Sequence, residues 1–101
     1  MKHELMKVAD IPMEGSKVIS FFGREVHVYL AQGSPRAVVN ACLHIGGPLE
    51  CREGKFVCQW HQASFNMTTG ERMAGPAPRG SKLMSLPTRV EGDTLFYVWS
   101  E

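Results

Sequence analysis

Cysteine is scarce in this chain and widely spaced: three in 101 residues, at positions 42, 51 and 58. No two lie two to four residues apart, so the paired-cysteine spacing common in structural zinc sites is missing. Long apolar runs are missing too. The opening stretch, MKHELMKVADIPMEGS, holds no run of seven apolar residues followed by small ones, so neither a signal peptide nor a membrane anchor is expected. Eleven basic and ten acidic residues give a net charge of +1 with no block of either sign. That balance leaves no footprint for nucleic acid or an anionic membrane. There is no P-loop, no G-x-G-x-x-G and no additional 2-His-1-carboxylate pattern for mononuclear iron. Convincing helical periods, internal repeats and low-complexity segments are likewise missing. What remains is a composition 44% hydrophobic and 21% charged, normal for one soluble, cytoplasmic domain with a modest core.

The chemistry is concentrated in residues 42–61, CLHIGGPLECREGKFVCQWH, where two short arms each carry one cysteine and one histidine. The arms are Cys42-Leu43-His44 and Cys58-Gln59-Trp60-His61. Thiolate and imidazole hold soft or borderline metals, and the thirteen residues between the arms suffice for one hairpin that brings them together. Either arm alone would read as a packed histidine or a buried cysteine. Together they define one metal site, with zinc and an iron–sulfur cluster both open on residue type. Cys51 is left without an intramolecular disulfide partner and reads as a bystander thiol in a reducing compartment.

Around that stretch the chain reads as strands. Leu5 to Ala9 is expected as a short edge strand, followed by a turn over residues 10–15 with room for one helical turn. Ser16 to Phe22 leads through a turn at Gly23-Arg24 into Glu25 to Leu30. There Val26, Val28 and Leu30 alternate with Glu25, His27 and Tyr29, which puts His27 on a polar face. After a turn at residues 33–36, Ala37 to Ala41 is expected as a buried strand delivering the chain to Cys42. Gly46-Gly47-Pro48 lets the backbone fold closely over a ligand. Lys55 to Val57 leads into the second arm and Ala63 to Asn66 leads away from it, with a turn at residues 67–70. Residues 75–80, Gly-Pro-Ala-Pro-Arg-Gly, form a loop, since two prolines cannot belong to a central strand. Leu83 to Glu91 and Thr94 to Trp99 make a last hairpin about Gly92-Asp93. The expected fold is therefore all-β: a small antiparallel sandwich or barrel-like base carrying a metal-binding subdomain of two loops.

The two arms resemble those of the Rieske protein family, whose [2Fe–2S] cluster has two thiolates on one iron and two imidazoles on the other. The resemblance extends to Gly46, Gly47, Pro48 and Leu49 after the first arm, and to Ala63-Ser64-Phe65-Asn66 with Thr69-Gly70 after the second. It implies that Cys42 and Cys58 bind one iron and that His44 and His61 bind the other. It further implies one domain over residues 1–101, with the base at about 1–41 and 83–101 and the cluster-binding subdomain at about 42–82. The proline loop would cover one side of the cluster. Each histidine would turn its free ring edge to solvent, so Arg72, Arg79 and Lys82 would lie near a docking tip.

Quinol-oxidising members of the family carry an interloop disulfide where this chain has Gly47 and Trp60. They also carry serine and tyrosine hydroxyls, bonded to cluster sulfurs, where it has Ala63 and Phe65. The implied potential is low. The implied function is that of a Rieske-type ferredoxin, a one-electron carrier between a flavin-dependent ferredoxin reductase and a terminal oxygenase such as a ring-hydroxylating dioxygenase. Two alternatives stand beside it: a Rieske-like small redox subunit of a larger enzyme such as nitrite reductase, and a zinc-stabilised interaction module.

Overall fold

The computed structural model describes residues 1–41, 48–52, 54–60, 62–75 and 82–99. Cys42, His44, His61, Arg79 and the proline loop expected over residues 75–80, beyond its first glycine, lie outside the described residues.

Ten strands make three antiparallel sheets, and apart from one 3-10 turn at Val8–Asp10 no helix occurs among the described residues. In the first sheet, β1 (Lys2–Lys7) pairs with β10 (Thr94–Val98), which pairs with β9 (Thr88–Glu91). β1 is an edge strand as expected, but it starts nearer the N-terminus, and the helical turn begins at Val8 and reaches the expected 10–15 turn only with Asp10. In the second, β2 (Ser16–Phe21), β3 (Arg24–Ala31) and β4 (Ser34–Val39) form a meander with β3 in the middle. The third runs β5 (Leu49–Arg52), β6 (Lys55–Cys58), β7 (Ser64–Asn66) and β8 (Arg72–Ala74).

Turn chemistry sets the meander's register. Phe22 and Gly23 have φ of 48° and 81°, and Gln32 and Gly33 have 54° and 77°. Two successive left-handed residues are what a two-residue hairpin turn of the primed type requires, because its twist matches that of the flanking strands. Both turns therefore fall earlier than the glycines alone suggested. β4 consequently begins at Ser34, with Pro35 inside it opposite Leu30. Proline is tolerated there because β4 is the last strand of its sheet. Its outer edge is met by the segment after the proline loop, through Val39 N–H to Met84 O at 2.9 Å and Leu86 N–H to Ala37 O at 2.9 Å. Strand structure in the expected 83–91 run is accordingly limited to a bridge at Ser85 and to β9.

The meander is the middle layer, with a core on each side. Val26, Val28 and Ala37 pack with Ile11 and Leu95 toward the first sheet. Tyr29, Ala31 and Val38 pack with Leu49, Phe56, Cys58, Ala63, Phe65 and Leu83 toward the third. This double covering overturns the polar face expected for β3. His27 is 4% exposed and Tyr29 1%. Alternation along β3 is real, but it separates two cores rather than a core from water. A tyrosine and a histidine can occupy such positions because each has an apolar body and a polar tip that finds a partner. The Tyr29 hydroxyl donates to Met67 O at 2.7 Å, and burial pushes its pKa up to about 12.

Candidate metal centre

β5 and β6 are the hairpin between the two arms, with Leu49 opposite Cys58 and Arg52 opposite Lys55. Each strand thus ends at the root of a different arm. Gln59 N–H donates to Pro48 O at 2.9 Å, which ties the residue after Cys58 to the residue where the first arm ends. The second arm is closed on itself, since Cys58 N–H donates to Ala63 O and Gln62 N–H to Cys58 O, both at 2.8 Å. Gln62 completes this tight loop in the left-handed region, at φ 65°. Cys58 is wholly buried beside Phe56, Ala63 and Leu83, whereas Trp60 is 64% exposed. The arm therefore holds its thiol inward while its tip faces solvent.

The root of the proline loop presses on the same arm. Gly75 has φ 100°, and a Cβ built there would lie 2.5 Å from Ala63 Cα. No residue but glycine allows that approach. On the far side, Leu83 N–H donates to Gly70 O at 2.8 Å, and Leu83 joins the core that contains Cys58. Both ends of the loop are thus fixed against the second arm. Arg72 Nη1 donates to Gly75 O at 3.2 Å, and its Nε is buried without a partner. Of the cations expected at a docking tip, Arg72 is spent on bracing this root and Lys82 stands 3.9 Å from Glu71.

The entry to the first arm is held by residues the sequence did not single out. Ala41 N–H donates to Val39 O at 2.8 Å, so the chain turns sharply away from β4 at Asn40. Asn40 Oδ1 accepts from Leu49 N–H at 2.8 Å and lies 2.8 Å from His27 Nε2, which is also 3.1 Å from Leu49 O. Both partners of Nε2 are acceptors, so Nε2 carries the proton, and Nδ1 accepts from the Ser16 hydroxyl at 2.7 Å. Burial lowers the His27 pKa from its ordinary value, against the opposing effects of Asn40, Leu49 and the charge of Glu25. The available signal was the stretch Val26–Ala31, which has no permanently charged side chain to hold a face in water.

Cys51 is half-buried with its Sγ 3.7 Å from Met67 Sδ, and burial raises its pKa. That burial disfavours the reactive thiolate form. Cys51 lines a cleft of about 490 Å³ with Met13, Leu30 and Met67.

An all-β domain of three small sheets, with a buried thiol on a tight arm and a second arm rooted beside it, fits a sulfur-ligated metal centre with an exposed tip. A family model for the Rieske [2Fe-2S] domain matches residues 1–88, and the chain belongs to that family. Its cofactor is accordingly a [2Fe–2S] cluster and its class that of electron-transfer domains. Solved structures agree on the fold. A reduced complex between oxygenase and ferredoxin in carbazole 1,9a-dioxygenase superposes with a TM-score of 0.80 at 20% identity, over 95% of this chain and 28% of the other. Terminal oxygenases of carbazole 1,9a-dioxygenase from Novosphingobium sp. KA1 and Nocardioides aromaticivorans IC177 give TM-scores of 0.81 and 0.75. Each is 19% identical, over 99% of this chain and 30% of the other. The chain thus spans less than a third of the length of these matched chains. No curated protein matches it. No helix among the described residues is long and apolar enough to cross a membrane.

Proposed function

We propose that this chain is a Rieske-type ferredoxin, a free one-electron carrier in the cytoplasm. Cys42 and Cys58 would hold one iron of the cluster and His44 and His61 the other, within a cluster-binding subdomain of about residues 42–82. The observation that carries this proposal is the pairing of the two stems: Leu49 opposite Cys58 and Gln59 N–H on Pro48 O bring together the roots of the only two Cys/His arms in the sequence.

When bound, such a cluster exchanges one electron at a time. The chain's own residues determine where that happens. Phe56, Ala63, Phe65 and Leu83 exclude water from the Cys58 side, while Trp60 and Gln62, the sequence neighbours of His61, are exposed. The histidine edges are the proposed exit for the electron, toward a terminal oxygenase or another redox acceptor, with a flavin-dependent ferredoxin reductase as donor. A second reading, a redox subunit fixed in a larger enzyme, is supported by the matched chains, in which this fold makes up 28–30% of the length.

The test is a reductive titration. Ala63 and Phe65 carry no hydroxyl, and two missing hydrogen bonds to cluster sulfurs at a differential of about 1.4 kcal/mol, or about 59 mV, each lower the potential by on the order of 100 mV. A red-brown protein with a one-electron midpoint in the lower part of the Rieske range of about −150 to +300 mV is expected. A midpoint above about +100 mV would refute the low-potential assignment. A colourless protein that holds zinc would overturn the carrier itself.

A further inference from the structure

The first arm leaves the middle sheet at Asn40 and returns to the third sheet at Leu49, so its ligands sit on a loop whose ends belong to different layers. Such a loop needs something to hold its neck closed, because a ligand pair that swings with the loop would bind its metal weakly. Leu49, Phe56 and Cys58 of the β5–β6 hairpin share a core with Val38 of β4, but apolar packing is non-directional and does not by itself fix how the arm leaves the sheet. The described polar links across the neck are Leu49 N–H to the Asn40 amide oxygen and His27 Nε2–H to Leu49 O.

Asn40 Oδ1 receives two donors from two layers, Leu49 N–H from the third sheet and His27 Nε2–H from the centre of the second. Its Nδ2 donates to Glu25 Oε1 at 3.1 Å and its backbone N–H to Glu25 O at 2.8 Å, so the side chain is fixed at both ends. His27 is fixed in turn. The Ser16 hydroxyl orients Nδ1, Phe56 packs on the ring with centroids 5.0 Å apart, and Nε2–H is shared with Leu49 O. The imidazole is buried, so breaking either bond leaves polar atoms unpartnered where water does not replace them.

We propose that Asn40 and His27 are a positioning pair, a clasp that closes the neck of the first arm and thereby sets how tightly the cluster is held. This role rests on the proposed ligation by Cys42 and His44. Loss of the cluster requires the arm to open, and opening breaks the clasp, so the clasp slows release without touching the metal.

The experiment follows release of the cluster from the purified holoprotein into a ferrous chelator, beside hydrogen exchange by mass spectrometry of peptides covering Leu49 and Leu95. Asn40→Ala and His27→Leu should each release the cluster about tenfold faster or more, as expected from unpartnered buried groups. Leu49 should lose protection while Leu95, in the remote first sheet, keeps it. His27→Gln retains a donor at the place of Nε2 and should stay within about threefold of the wild type. Wild-type release rates despite lost protection at Leu49 would overturn the clasp, as would equal loss of protection at Leu95, which reports unfolding of the whole domain, or a His27→Gln protein as labile as His27→Leu. A wild-type protein that never carries the cluster would instead overturn the function proposed above.

Discussion

Gly75→Ala is expected to be the most disruptive glycine-to-alanine change among the described residues. Two effects add there. The φ of 100° is one that residues with a Cβ rarely adopt, and the new methyl would stand 2.5 Å from Ala63 Cα and 3.1 Å from Ala63 N. The first effect is worth about 1–3 kcal/mol and the second, forced overlap in a packed region, about another 1–3 kcal/mol. Ala63 cannot easily retreat, because its carbonyl holds Cys58 N–H and it is wholly buried.

Gly54→Ala is the matched control, with φ 76° but nothing within 4 Å of the added carbon. It should lose about 1 kcal/mol, the conformational part alone. Urea unfolding of the two variants against the wild type, followed by the visible absorbance of the cluster and by far-ultraviolet circular dichroism, measures the difference. We expect Gly75→Ala to fall at least about 2 kcal/mol below Gly54→Ala and to lose the cluster first. Equal stability of the two variants would refute the close packing of the proline-loop root on the second arm.

Two further outcomes follow. The His27 pKa is lowered from its ordinary 6.5, so above that pH the group is neutral in both states; as the pH falls below it the unfolded chain takes up the proton first, and stability declines until the folded-state pKa is passed. Urea midpoints at pH 7.5 and 5.5 should therefore differ more for the wild type than for His27→Gln, and identical slopes would contradict the burial of a neutral imidazole. Charge reversal of Arg79 should slow electron transfer to the acceptor at low salt, whereas reversal of Arg24 or Arg36, exposed in the meander, should do little; stopped-flow reduction rates with the opposite order would move the docking face to the base.

Much of the fold was legible because alternation and turn residues report strands directly: the meander, the β5–β6 hairpin implied by the spacing of the arms and the last hairpin at Gly92-Asp93 all stand. β5 and β8 were not marked as strands, since the four-residue alternation of Leu49 and Cys51 with Glu50 and Arg52 and the three residues of β8 are too short to stand out, and both exist by pairing with neighbours. His27 was misread for a related reason. Alternation shows that a strand has two different faces but not whether the second face meets water or another sheet. The family was legible through the residue types and spacing of the two arms, which are chemical requirements of its cluster. The devices that hold the arms, Asn40, His27 and the contact of Gly75 with Ala63, are tertiary juxtapositions between residues 9 to 22 apart and more than one layer. His27 is consequently no neutral control for mutagenesis, and His3, on exposed β1, serves instead.

The most direct test of the account is the electron paramagnetic resonance spectrum of the reduced protein in three variants. His44→Ala and His61→Ala should each abolish the signal of a cluster with mixed thiolate and imidazole ligation, while His3→Ala should leave it as in the wild type. An unaltered signal in His61→Ala would contradict the assignment of one histidine from each arm.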